Sequence, residues 1–265
     1  YGYKPVNLIG GQPFAGSTRN YPVAYNNAAA IYYGDPVTLS GGYIVIPTLP
    51  VNSTTANQMV GIFLGCYYTN PSTKQRLYSQ YLPANTLAGD ITAIVADDPD
   101  VVLRCAVTAS AGSTVVSSAN TLQIGSNMVG NSSVTGSATT GNSANGVIAA
   151  TAAGASTAGF RVLQLATDTQ YSYGGTYSSG TGTTTLTVTG VTPGAVIPVG
   201  AEVFNVIGNG LQYTGSFLTA AYTVPSTGTA ALPVTASTTA VAGTVAIVVT
   251  PEVLVKVNFG VHRYN

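Results

Sequence analysis

Three acids, Asp97, Asp98 and Asp100, fall within four positions of the stretch AIVADDPDVVLRCAV (93–107), in a chain of 265 residues with only eight acids. Carboxylates grouped this way can hold a hard cation, share acid–base work, or close a turn. A calcium loop needs several oxygen ligands at the spacing D-x-[DN]-x-[DN]-G, which this stretch lacks. An acid–base pair must converge on a cleft from separate segments, whereas the adjacent Asp97 and Asp98 point to opposite faces of an extended chain. Asp-Asp-Pro-Asp is better suited to a turn, because Pro99 presets the backbone and the Asp side chains accept nearby N–H groups. The expectation is a bend between two strands, with no metal ligand and no catalytic residue in it.

The other chemistry-bearing residues are sparse. The single histidine, His262, stands near the end of the sequence in FGVHRYN, with no acid or nucleophile motif close by. It cannot form a triad alone, and the nucleophile pattern G-x-S-x-G does not occur. The glycine-rich runs GSTRN and GGTYSSGTG lack the Lys-Ser/Thr of a phosphate loop. Cys66 and Cys105 have no zinc-type spacing; small buried hydrophobes, a disulfide or metal ligation remain open for them. Seventeen tyrosines and no tryptophan allow three uses: filling sheet faces, contacting protein, or stacking on sugar rings. Tyr32–Tyr33, Tyr67–Tyr68 and the group Tyr171, Tyr173 and Tyr177 are where such a surface is sought. Catalysis finds no foothold, so a non-enzyme without a cofactor is expected.

Charge narrows the partners. Only 6% of residues are charged, eight basic against eight acidic, giving a formal net charge of zero. Average globular proteins carry about 25%. A surface so poor in charge favours self-association, or cover by neighbours. No basic stripe exists to neutralise phosphates, so no nucleic-acid partner is expected. No apolar run is long enough for a membrane helix, and no secretory signal is visible at the start, so no membrane partner is expected.

The elements that must position these residues are strands. Gly, Pro, Thr, Val and Tyr dominate, and helix signals are nearly absent. Period-two or short apolar runs mark GYIVIPTL (42–49), QMVGIFLGCYY (58–68), DITAIVA (90–96), DVVLRCAVTA (100–109), FRVLQLAT (160–167) and EVLVKVNFGV (252–261). In the last, Val253, Val255, Val257 and Phe259 share one face, and Leu254, Lys256 and Asn258 the other. Residues 110–159 are rich in Ser, Gly, Ala, Thr and Asn and read as long loops around brief strands. Block 169–250 opens with a flexible polar entry and continues with short strands at sandwich-like spacing. Lifting it out joins FRVLQLATD to PEVLVKVNFGVHRYN, two strands that belong together. The expected architecture is all-β: a β-sandwich or barrel-like main domain with long loops and an extended N-terminal arm (1–168, completed by 251–265), carrying an inserted small all-β domain (169–250). The arm, with Pro and Gly every few residues, is expected to be held by packing on its own core or on a neighbour.

Several segments occur in an order that resembles a known family. YGYKPVNLIGGQPFAGSTRNYPV, AAAIYYGDPVTL, VGIFLGCYY, YLPANTLAGDITAIVADDPDVVLRCAV, FRVLQLATD and VLVKVNFGVHRY follow one another here. This pattern is similar to that of tailed-bacteriophage capsid decoration, or cement, proteins. Block 169–250 lies outside it and only loosely resembles small β-modules appended to phage structural proteins. The resemblance implies a structural virion protein on the outer capsid surface, clamping neighbouring capsomers. It also implies contact with the major capsid protein, self-association as a homotrimer, and assembly in the host bacterial cytoplasm, where a disulfide is disfavoured. Shell or intersubunit contact is then expected from the arm (Tyr1, Tyr3, Lys4, Phe14, Arg19, Tyr21, Tyr25) and the closing tail (His262, Arg263, Tyr264). The alternative from another class is a virion adhesion module whose insert binds host-surface glycan through Tyr171, Tyr173, Tyr177 or Tyr213.

Overall fold

In the computed structural model the described residues are 2–47, 58–131, 134–149, 158–177, 184–207, 210–235 and 243–258. Their fold is all-β, with one nearly closed, barrel-like sheet and one half-barrel sheet. The chain separates into two units, Tyr1–Thr114 with Gly125–Gln164 and Val253–Asn265, and Val115–Ile124 with Leu165–Glu252.

The first unit holds strands β1 (Lys4–Leu8), β2 (Arg19–Pro22), β3 (Pro36–Ser40), β4 (Tyr43–Val45), β5 (Gly61–Thr69), β6 (Arg76–Ser79), β7 (Thr92–Ala96), β8 (Val101–Thr108), β9 (Asn127–Met128), β10 (Gly130–Asn131), β11 (Gly146–Ile148) and β12 (Phe160–Leu165). The second holds β13 (Tyr171–Tyr177), β14 (Thr185–Thr189), β15 (Val196–Ile197), β16 (Glu202–Ile207), β17 (Gly210–Phe217), β18 (Tyr222–Thr223), β19 (Ala230–Pro233) and β20 (Gly243–Val249). Strand β21 (Glu252–Val257) returns the chain to the first unit.

In the first unit, one sheet has the order β10-β11-β8-β21-β12-β9 with β1 also on β8, and a second has β2-β7-β5-β3-β4 with β6 on β5. Strands β12 and β21 are neighbours, and Ala166 N–H donating to Glu252 and Asn258 N–H donating to Gly159 mark them as antiparallel. Along β21, Val253, Val255 and Val257 are buried while Leu254 and Lys256 are only half-buried, the alternation that period two requires. Phe259 lies outside the described residues. The core beneath the second sheet gathers Val37, Ile44, Phe63, Cys66, Leu82 and Val95. Gly61 is essential there: a Cβ on it would sit 2.1 Å from the carbonyl oxygen of Ala96.

The second unit pairs a six-stranded sheet, β17-β16-β20-β13-β14-β19, with the ribbon β15-β18. Alternate residues Leu186 and Val188 of β14, and Val245, Ile247 and Val249 of β20, build its core. Its boundaries differ from those expected. Segment 115–124, placed by the sequence reading in the main domain, belongs to the second unit, which begins at Leu165 rather than 169 and ends at Glu252 rather than 250.

The N-terminal arm is also more ordered than its composition suggests. β1 pairs antiparallel with β8 (Lys4↔Arg104), and β2 with β7 (Arg19↔Val95). These residues complete the sheets of their own unit; the sequence alone shows no period-two pattern there, because partner strands supply the regularity.

Candidate functional site

The acid-rich bend connects β7, in one sheet of the first unit, to β8, in the other. Asp98 Oδ1 accepts the N–H of Asp100 at 2.9 Å, and the Asp98 carbonyl accepts the N–H of Val101 at 3.2 Å. This is the turn anticipated from Asp-Asp-Pro-Asp. The three carboxylates diverge in their contacts. Asp100 faces Lys256 at 4.0 Å. Asp97 is buried, accepts the Tyr21 hydroxyl at 2.7 Å, and pairs with Arg19 Nε at 3.3 Å. Asp97 therefore pins β2 to the end of β7. Removing that hydroxyl by Tyr21→Phe should cost about 1.5 kcal/mol, since a hydrogen bond to a buried charge is lost. A urea midpoint unchanged from the parent would contradict this.

A second buried acid organises more of the unit. Asp35, 2% exposed, sits just before β3 in the Gly-Asp-Pro-Val segment. Its Oδ2 accepts the Tyr32 N–H at 2.8 Å and its Oδ1 accepts Asn145 Nδ2 at 2.8 Å, with Ser143 donating as well. Its own carbonyl accepts the Phe63 N–H at 2.9 Å. Asn145 Oδ1 in turn accepts the Val134 N–H at 3.1 Å. One carboxylate thus joins the loop before β3, strand β5 and the loop 134–145. Burial pushes this carboxyl above the ordinary range, against the opposing pull of its hydrogen bonds. A cavity of about 250 Å³ opens beside it, lined by Tyr32, Ile46, Val134 and Thr135 among others. The start of the chain closes on the same place. The Tyr3 N–H donates to the Gly34 carbonyl at 2.9 Å, and Gly34, at φ +88°, lies so close to Gly2 that a Cβ would meet its Cα at 2.9 Å.

These placements revise the expected contact residues. Tyr3 is completely buried, its ring stacked on Phe160 at 4.6 Å and its hydroxyl donating to the Gly146 carbonyl. It is a core residue and offers nothing to a shell. Lys4, Arg19 and Tyr21 lie in sheet-forming strands, so trimming the arm through β2 tests the fold before it tests attachment. Phe14 is half-buried and Tyr25 is 62% exposed. Tyr1, His262, Arg263 and Tyr264 fall outside the described residues.

The tyrosines of the second unit divide similarly. Tyr171 is 46% exposed and meets Tyr173 edge to face at 5.8 Å. Tyr177 is buried in the hydrophobic core, so it cannot face a sugar and is withdrawn from the glycan set. Tyr213 stands in β17 opposite Phe204, and its side chain lies outside the description. The unit contains three charged residues, Asp168, Glu202 and Glu252, and both glutamates are buried. Glu202 is a latch that no local sequence pattern marks. It accepts the Thr121 hydroxyl at 2.6 Å and the Thr121 N–H at 3.2 Å. Ser118 N–H and Ser117 Oγ donate to the Val199 carbonyl at 3.0 and 2.8 Å, and Ala119 bridges to Thr250. These bonds strap 115–124 to the second unit.

Cys66 and Cys105 are both buried and form no disulfide. Burial pushes the Cys66 thiol up to about 12, so almost no thiolate exists at neutral pH. Neither cysteine should react with a thiol-specific chromogenic reagent at pH 8 until denaturant is added; rapid native labelling would refute the burial.

Asp35, Asp97 and Glu202 thus join separate segments of the fold, and no three His, Cys, Asp or Glu side chains among the described residues are grouped as a metal site. The surface, by contrast, offers exposed tyrosines on β-scaffolds with little charge. Among known proteins, no family model matches this chain, no curated protein matches it, and no solved structure matches it.

Proposed function

We propose that this chain is a structural virion protein that decorates and cements the icosahedral capsid of a tailed phage, bridging neighbouring capsomers. The carrying observation is where the family-like segments fall. Lys4-Pro5-Val6 forms β1, Gly34-Asp35-Pro36-Val37 is the three-way junction, Asp97–Val101 joins the two sheets, and Val253–Val257 lies in the strand that completes one of them. The pattern therefore coincides with what assembles the first unit, while nearly all of the second unit lies outside it.

In this reading the first unit binds the major capsid protein on the outer shell and the second is an appendage. The protein self-associates, as a trimer by analogy with the family. Its work is adhesion alone, in which many copies, each contributing modest area, together resist expansion of the shell. Assembly takes place in the bacterial cytoplasm, consistent with two reduced, buried thiols. Electron microscopy of purified particles tests the proposal. Symmetry-related density for the chain across the shell supports it; absence from the shell overturns it.

The exposed Tyr171, edge to face with the half-buried Tyr173, in a unit whose only unburied charged side chain is Asp168, favours one second reading, a host-adhesion module for uncharged glycan. Such a module would be present in few copies per particle and would bind a neutral polysaccharide array, with binding lost in Tyr171→Ala.

A further inference from the structure

The arm and tail drew attention in the sequence, but the most developed contact surface of the first unit is the β5–β6 hairpin. Its strands pair Tyr67 with Tyr78 and Thr69 with Arg76, so these four side chains share one face. The Tyr67 and Tyr78 rings lie 5.5 Å apart, and the Arg76 guanidinium sits over both, 4.2 Å from the Tyr67 centroid and 5.7 Å from that of Tyr78. Tyr78 is 68% exposed and Arg76 is exposed throughout. A rigid turn presents this group: Asn70 Oδ1 accepts the Ser72 and Thr73 N–H groups, and the Asn70 carbonyl accepts the Lys74 N–H.

Local charge makes the surface directional. The nearby acid, Asp90, has its oxygens engaged by the Thr69 N–H and hydroxyl at 2.6–3.0 Å. Arg76 lends it only long-range stabilisation. The guanidinium thus lies over two tyrosine rings on an exposed residue, and the exposed Lys74 of the hairpin turn supplies a second cation. A stacked, preordered Arg loses little freedom on binding and matches a carboxylate in a planar, two-bond geometry. Cations on an edge strand also discourage strand addition, but that role needs no aromatic stack to orient them. Exposed Tyr and Arg placed together are the composition of interface hot spots.

We infer that the Tyr67–Arg76–Tyr78 face is the docking surface of the first unit, and that its occupant is a carboxylate-bearing patch of the shell-forming protein. This rests on the shell-binding reading above.

The test uses the full chain and purified particles lacking it. Arg76→Ala with Tyr78→Ala should weaken particle binding about tenfold or more while leaving the melting curve unchanged, because both side chains are exposed. Arg76→Lys keeps the charge but loses the planar fork, and should weaken binding several-fold. Tyr43→Ser, exposed on the β3–β4 hairpin, should change nothing. Raising salt from about 0.1 to about 1 M, which shortens screening from about 10 to 3 Å, should weaken the parent more than the double variant. If the parent binds and the double variant binds equally well, the hairpin assignment falls while the shell-binding reading stands. If the parent binds no particle, both fall. If the double variant instead abolishes self-association and spares particle binding, the occupant is a second copy and the assignment is overturned.

Discussion

Replacing Asp35 with alanine is expected to destabilise the first unit by about 3 kcal/mol, a fall of roughly 10 °C in melting temperature for a domain of this size. The cost arises because Tyr32 N–H, Asn145 Nδ2 and Ser143 all donate to one buried carboxylate, and its loss strands buried donors from separate segments. Asparagine is no remedy. Its amide supplies one acceptor oxygen and a donor, so the donor must face another donor. Asp35→Asn should still cost about 2 kcal/mol. A calorimetric melting point for Asp35→Ala within 2 °C of the parent, at the scale of about 2–4 °C per kcal/mol, would refute this role.

The same carboxyl sets a pH dependence of unusual sign for an acid. Its proton affinity is raised by burial, so the native state binds that proton more tightly than the unfolded chain does. Its contribution is fully present below the unfolded carboxylate range near pH 4, and is lost as pH rises through the raised native value. Asp90 is held low by Thr69, so its contribution is present above that range and is lost only in stronger acid. Lowering pH from neutral to the unfolded carboxylate range, about 4, should therefore widen the stability gap between parent and Asp35→Asn in urea titrations. A gap that narrows would contradict the raised affinity.

The second large effect concerns the strap. A fragment of residues 165–252 expressed alone should fail to fold stably, because buried Glu202 loses Thr121, and Val199 and Thr250 lose their partners in 117–119. In the full chain, changing 117–121 to glycine should cost the second unit about 4 kcal/mol through an unpaired buried charge and several lost hydrogen bonds. Thr121→Val alone should cost about 2 kcal/mol. The first unit makes the complementary prediction. Removing 165–252, joining Gln164 to Val253 by an Asn-Gly turn and replacing 115–124 with a Gly/Ser linker of equal length should leave one cooperative transition, because β12 and β21 are already antiparallel neighbours. Limited proteolysis and urea unfolding of both proteins decide the matter. A stable 165–252 fragment would show that the strap is dispensable.

Much of the strand inventory was legible in the sequence, because period-two alternation in 252–257 and turn chemistry in Asp97–Asp100 are local properties. The pairing of 160–165 with 252–257 was also visible, once the intervening block was seen to have its own spacing. The arm was not legible as β1 and β2: its Pro and Gly conceal strands that exist only because β8 and β7 offer unsatisfied edges. Nor could Tyr3 be distinguished from Tyr25, since one ring is buried on Phe160 and the other exposed only through long-range packing.

Residue type and near-neighbour spacing were enough to specify an all-β, charge-poor chain whose clustered acids close a turn. They could not specify the uses of the isolated polar groups, which long-range packing assigned. Asp35 became a junction, Glu202 a latch and Arg76 a stacked, outward-facing cation. Each role depends on partners brought from distant parts of the chain or across a sheet, and burial, not sequence distance, sets the strength of the bond.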